Sequence, residues 1–146
     1  MKPILYIDID DTLAQYKKAW SSKVSIDQPY PQSVEGYYLN LEPIENSIES
    51  VIKLSDYFDV YFLTAPSLKN PISYTEKRLW VEKWFGFDYC DKLIICNHKE
   101  LLIGDYLIDD NITGKGQDKF KGKLIHFGSP QFEDWNSIIS YFNLDN

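Results

Sequence analysis

Asp8 and Asp10 stand two residues apart at the end of a short apolar run, and extended backbone at that spacing points both carboxyls the same way. Asp109 and Asp110 end another such run far downstream. Brought within ~4 Å, each like-charged pair would repel by roughly 4 kcal/mol at an effective dielectric of about 20, so the cluster demands a cation or shared protons. Hard carboxylate and carbonyl oxygens in an open, hydrated site suit Mg²⁺, which keeps several waters and commonly binds phosphate as well. A carboxylate beside that ion can attack phosphorus to form an aspartyl phosphate. A second carboxyl can protonate the leaving alkoxide and later activate water. Asp8 suits the first role and Asp10 the second. Thr64 offers a hydroxyl, and Lys99 a positive charge, to the phosphoryl oxygens.

These residues meet only if the chain forms one sheet. Short β-rich runs alternate with longer helical runs, the pattern of a parallel sheet with crossover helices. The predicted strands are 3–8, 60–64, 93–96, 106–108 and 123–127, the first apolar on both faces as a central strand should be. Ile44, Ile48, Val51 and Ile52 space a helix ending near Asp56. Ser73 and Glu76 read as a capping box opening another, with Leu79, Trp80 and Trp84 on its apolar face and Gly86 as its stop. Phe132, Trp135, Ile138, Ile139 and Phe142 give a final amphipathic helix. Residues 14–43, with Pro29, Pro31, Gly36 and several aromatics, keep no clean period and read as an insertion after the first strand. In such a sheet functional groups gather beyond the carboxyl ends of the strands. Asp8, Asp10, Asp11 and Thr12, then Thr64, then Lys99, then Asp109 and Asp110 occupy successive strand ends.

Each residue alone has a plainer explanation. A strand-end Asp is often a turn residue, a lone Lys is more often solvated, and Thr64 is a good β-former. The ordered set is what points to one phosphate and metal site.

That set resembles the haloacid dehalogenase superfamily. Asp8 to Thr12 (DIDDT) matches its D-x-D-x-[TV] first motif, and Thr64, Lys99 and the pair Asp109-Asp110 stand where its later motifs belong. Within it, the stretches IDIDDTLAQY, YYLNLEPIENS, VYFLTAPSLKNPISYTEKRLWVEKWFG and LLIGDYLIDDN resemble the 5'(3')-deoxyribonucleotidases. The resemblance implies a three-layer α/β/α Rossmann-like parallel sheet in a single domain over 1–146, with a reduced cap at about 14–43. It implies that Asp8 is nucleophile and Mg²⁺ ligand, and that Asp10 is the acid/base and lends its carbonyl to the metal. Asp110 would bind the ion directly and Asp109 would orient a metal-bound water, though strand alternation alone leaves open which of the two is the ligand. Thr64 and Lys99 carry over as phosphate ligands. The implied substrate is a small phosphomonoester, a nucleoside monophosphate with deoxyribonucleotides favoured.

Two departures bear on substrate. Ala65 follows Thr64 where many members carry a hydroxyl, so one phosphate contact is either missing or supplied by a backbone N–H. The lid is also short. It exposes the site to a larger phosphoester, such as a nucleic-acid 3'-phosphate or a sugar phosphate, or a homodimer covers it with a second subunit. Tyr16, Trp20, Tyr37 and Tyr38 either stack on a nucleobase, worth ~1–3 kcal/mol per base, or pack the insertion onto the sheet.

Composition limits the alternatives. With 22 acidic against 15 basic residues and a net charge of −7, stable binding to a nucleic-acid backbone is not expected. Lys115, Lys119, Lys121 and Lys123 are interrupted by Asp118 and read as a solvated loop, and Gly114-Lys115-Gly116 lacks P-loop spacing. No run approaches the ~20 apolar residues of a membrane span and the N-terminus lacks a signal-peptide pattern, so a cytoplasmic protein without membrane contact is expected. Cys90 and Cys96 read as free thiols. A receiver-like phospho-acceptor domain is the non-enzymatic alternative, but its acceptor Asp would be expected on a later strand, and the acids here return only at Asp109.

Overall fold

Backbone hydrogen bonds join all five strands in parallel in the computed structural model, which describes residues 1–145. The strands are β1 (Ile4–Ile7), β2 (Asp59–Thr64), β3 (Leu93–Ile95), β4 (Tyr106–Asp109) and β5 (Lys123–His126), in spatial order β3-β2-β1-β4-β5. The order reverses at β1, and that is where a crevice opens in such a sheet. The connections between β1 and β2 and between β2 and β3 carry the helices α1 (Tyr16–Lys23), α2 (Ser47–Leu54) and α3 (Ile72–Phe85), and α4 (Trp135–Tyr141) follows β5.

Strand alternation divides the core in two. Leu5, Ile7, Val60, Phe62, Ile108 and Ile125 face one side, where they pack with Val51 and Leu54 of α2, Trp80 and Val81 of α3, and Trp135 and Ile138 of α4. Tyr6, Leu63 and Leu107 face the other side, under Phe120 and loops that carry 3-10 turns at Lys99–Leu101 and Gln117–Lys119. The result is a three-layer α/β/α sandwich whose second outer layer is thin. No described helix is long and apolar enough to cross a membrane.

Register fixes the site. Ile7 pairs with Ile108 on β4 and with Phe62 on β2, and the Asp8 N–H continues the ladder to the Ile108 carbonyl at 2.9 Å. Asp8 therefore arrives beside Asp109 from the central strand.

The helices depart from the sequence reading in two places. The segment 14–43 is not irregular throughout, since α1 lies within it. Its Tyr16, Ala19 and Trp20 pack only partly against the core, too weak a stripe to announce a helix. The capping box at Ser73 and Glu76 does not form. Helix α3 already starts at Ile72, and both side chains bind elsewhere. Ser73 Oγ accepts from the Ser67 N–H at 3.1 Å, while Glu76 accepts N–H groups of Gly36, Tyr38 and Leu39 at 2.7 to 3.1 Å. The buried stripe of α3 is Ser73, Glu76, Lys77, Trp80 and Val81, so its polar members serve tertiary contacts rather than the helix end.

Glu76 thus pins the insertion to α3. Two further bonds secure it: Trp80 Nε1 donates to the Leu41 carbonyl at 2.8 Å, and Asn70 Nδ2 to the Gln32 carbonyl at 2.8 Å. Tyr37 and Tyr38 are buried and pack edge-on, which answers the plainer of the two expectations for them.

Candidate active site

The turn after β1 aims the acidic motif. Asp11 takes a left-handed conformation (φ 60°), which Asp tolerates better than most residues, and the Leu13 and Ala14 N–H groups return to the Ile9 carbonyl at 2.8 and 2.9 Å. Asp11 Oδ1 also accepts the Lys17 N–H at 2.9 Å near the start of α1. Trp135 of α4 holds the turn from behind, donating Nε1–H to the Thr12 carbonyl at 2.9 Å. Asp8, Asp10 and Asp11 all line one pocket of about 370 Å³ at the carboxyl end of the sheet.

Asp8, Asp109 and Asp110 each present an oxygen within 4.8 Å of the others. Asp109 is fully buried and tied on several sides. Lys99 Nζ donates to its Oδ2 at 2.6 Å and Gln117 Nε2 to the same oxygen at 3.3 Å, while the Asn111 N–H reaches Oδ1 at 2.9 Å. Gly116, at φ +85°, makes the tight turn that brings Gln117 in, and a Cβ there would run into Glu100. Asp110 is only partly buried. The Thr12 hydroxyl stands 3.3 Å from both its Oδ1 and Asp8 Oδ2, and accepts the Asp110 N–H at 3.1 Å.

Lys99 also donates to Asp8 Oδ1 at 3.0 Å. Burial opposes its charge, but Asp8 and Asp109 outweigh that and hold its pKa above the ordinary lysine value. The acids respond in the opposite sense. Burial, and then the Asp8 charge, push Asp110 up to about 9, and Asp109, where Lys99 opposes the rise, up to about 6. Three hard carboxylate oxygens this close, with the Asp109 and Asp110 carboxyls raised above the usual carboxylate range, form a donor set that fits a small divalent cation such as Mg²⁺.

Asp10 is set apart from that trio. Lys77, 1% exposed, donates to Asp10 Oδ2 and to Thr64 Oγ1, each at 2.8 Å. Asp10 Oδ1 is buried with no partner among the described residues. Burial raises the Asp10 pKa, Lys77 pulls against it, and Asp8 adds to the rise, with a net upward shift. Such a carboxyl can carry a proton into a reaction and take one back.

Asp8, Asp10, Lys99, Asp109 and Asp110 all reach the pocket. Thr64 ends β2 fully buried against Lys77, and the wall beside it is made by Ala65, Pro66 and Ser67, with Ser67 bearing the hydroxyl absent from Ala65. Sequence reasoning missed Lys77, Gln117, Gln32 and Lys17, which touch or line the site. For Lys77 a signal existed: a charged pair, Glu76-Lys77, stands three and four residues from Ser73 and from Trp80 on an otherwise inward stripe. Lys115, read as part of a solvated loop, stands at the pocket mouth.

Residues 29–139 match the family model described as 5' nucleotidase, deoxy (pyrimidine), cytosolic type C protein. A protein of Vibrio phage KVP40, provisionally named a 5'(3')-deoxyribonucleotidase, is 36% identical over 99% of this chain and 87% of its own length. The human 5'(3')-deoxyribonucleotidase, cytosolic type, is 36% identical over 58% of this chain, a match that spans 43% of the human protein. A crystal structure of a Bacillus subtilis HAD-hydrolase bound to magnesium superposes with a TM-score of 0.68 at 12% identity, covering 97% of this chain and 99% of that one.

Proposed function

The chain belongs to the 5'(3')-deoxyribonucleotidase family of haloacid dehalogenase phosphoric monoester hydrolases, and we propose that it removes phosphate from deoxyribonucleoside monophosphates with Asp8 as the nucleophile. The observation that carries this reading is the placement of Asp8. It lines the pocket with one oxygen held by Lys99 and the other beside the Thr12 hydroxyl, and its carboxyl lies within 4.8 Å of those of Asp109 and Asp110.

Asp8 and the partly open Asp110 would hold Mg²⁺ directly. Asp109, fixed by Lys99, Gln117 and the Asn111 N–H, would orient a water of the ion. When bound, the ion would neutralise phosphoryl oxygens and screen the carboxylates from one another. Asp8 Oδ attacks phosphorus, and the bond from phosphorus to the ester oxygen breaks. Asp10, whose pKa burial raises, would give a proton to the departing oxygen. It then accepts a proton from water as that water releases inorganic phosphate from Asp8. Lys99 offers charge to the phosphoryl oxygens, and Thr64 takes part through Lys77, which it shares with Asp10. Ser67 and backbone N–H groups of the 65–67 wall stand where Ala65 lacks a hydroxyl. Tyr16, Gln32 and Tyr38 also line the pocket. The human relative's name is cytosolic, and the same compartment is proposed here.

A receiver-like role finds no support, because β2 and β3 end in Thr64 and Ile95 rather than in a phospho-acceptor Asp. The test is phosphate release from a panel of deoxy- and ribonucleoside monophosphates and sugar phosphates, with Mg²⁺ and with EDTA. Release from deoxyribonucleotides that needs Mg²⁺ and disappears in Asp8→Asn supports the reading. No release from any of them, or undiminished activity in Asp8→Asn, overturns it.

A further inference from the structure

Beside the catalytic pocket lies a second cavity of about 490 Å³, larger than the pocket itself. The two share Gln32, Pro66, Ser67 and Lys115 as wall residues, so the outer groove adjoins the pocket that holds Asp8. The catalytic pocket alone is at the small end of ligand sites, which run from roughly 300 to 1,000 Å³.

The two compartments differ in charge. Five aspartates line the inner one, and among the described residues no Asp or Glu lines the outer one, which carries Lys69 and Lys115. In a chain with net charge −7 that is a local reversal of sign. Neither ammonium makes a hydrogen bond or ion pair among the described residues, whereas Lys77, Lys92 and Lys99 are all paired with carboxylates. Tyr30 and Leu68, 64% and 70% exposed, add flat apolar surface between the polar groups.

The groove is preformed rather than a gap. Asn70, 3% exposed, ties the loop at 66–70 to the insertion through the Gln32 carbonyl, and Ser73 holds Ser67 through two bonds, at 3.1 and 3.2 Å. Gln32 Oε1 is fixed in turn by Trp20 Nε1 at 3.1 Å. Both walls are therefore anchored to buried groups.

We propose that this groove receives a second phosphate on the substrate, so that the preferred ligand is a nucleotide with one phosphate at Asp8 and another one sugar away. This rests on the nucleotidase reading and extends it. Either a nucleoside 3',5'-bisphosphate or a short oligonucleotide ending in a phosphate supplies that chemistry. Lys69 and Lys115 neutralise the second phosphate, and Tyr30 and Leu68 lie along the sugar and base.

The test is binding, so that it holds whatever the turnover. In the Asp8→Asn protein with Mg²⁺, calorimetric affinities are compared for a deoxynucleoside 5'-monophosphate, its 3',5'-bisphosphate and a 3'-phosphorylated dinucleotide. The expected result is binding about tenfold tighter for at least one ligand that carries two phosphates, with the gap closing to within about twofold on adding Lys69→Glu, an exposed position where folding is not at stake. A preference for the bisphosphate assigns the groove to a phosphomonoester, and a preference for the dinucleotide assigns it to a phosphodiester. Equal affinities for all three ligands, or a gap that survives Lys69→Glu, overturns the proposal. Absence of phosphate release by the wild-type protein would instead overturn the nucleotidase reading and leave this comparison decisive for the groove.

Discussion

Lys77 holds one oxygen of Asp10 at 2.8 Å and leaves the other, Oδ1, buried without a partner among the described residues. One oxygen is positioned, and in the proposed mechanism its twin carries the proton. Because Lys77 lowers the Asp10 pKa against burial, Lys77→Met should raise it. The limb of the pH–rate profile that belongs to Asp10 then moves to higher pH, and kcat falls on the order of tenfold to a hundredfold. Measuring kcat and kcat/KM against pH in both proteins checks this. An unmoved limb would show that Lys77 serves packing alone.

Asp109 and Asp110 divide their work by burial. Asp109 is enclosed and bonded to Lys99, Gln117 and the Asn111 N–H, whereas Asp110 keeps access to the pocket. Asp110→Asn should weaken Mg²⁺ activation by ~10-fold or more with little effect on the apo fold, and Asp109→Asn should cost more stability. Titrations of activity with Mg²⁺, run beside urea unfolding of each variant, separate the two. The reverse ordering would exchange their roles.

Without a cation these acids make the protein sensitive to pH in an unusual direction. Their folded pKa values, about 6 for Asp109 and about 9 for Asp110, lie above the ordinary 3.8, so the folded state binds more protons than the unfolded one between those limits. Their share of stability is complete below pH 3.8 and is lost as pH rises through about 6 and then about 9. The metal-free protein should therefore melt at lower temperature at pH 9 than at pH 6, and Mg²⁺ should raise the melting temperature more at pH 9. Thermal melts in EDTA and in Mg²⁺ read this directly. A Mg²⁺ shift that is equal at both pH values contradicts it.

Lys99 is almost wholly enclosed between Asp8 and Asp109. Lys99→Met leaves two buried carboxylates without their counter-charge, and removal of one partner from a buried ion pair costs about 3–5 kcal/mol. Urea unfolding of the metal-free variant should show a loss of that order, partly restored by Mg²⁺. A loss below about 1 kcal/mol would mean that water already screens the pair.

The strand alternation and the strand-end rule are enough to bring Asp8, Lys99, Asp109 and Asp110 together, because a parallel sheet leaves little choice of where its carboxyl ends meet. The left-handed turn at Asp11 and the route of Gln117 to Asp109 depend on loop conformations that periodicity does not encode. Glu76 and Lys77 fall outside that rule for a different reason. Ser73 and Glu76 satisfy a local capping pattern, yet tertiary partners on the insertion and on Asp10 compete for the same groups and win. Tyr37 and Tyr38 show the same competition, since aromatic side chains suited to a nucleobase also fill a core.

Rapid-quench mixing of the protein with a phosphorus-labelled deoxyribonucleoside monophosphate and Mg²⁺ tests the role of Asp8 most directly. A transient, hydroxylamine-sensitive label on the protein, formed as fast as the nucleoside is released and missing in Asp8→Asn, is the expected result. Free phosphate appearing without labelled protein, at an undiminished rate in Asp8→Asn, would contradict it.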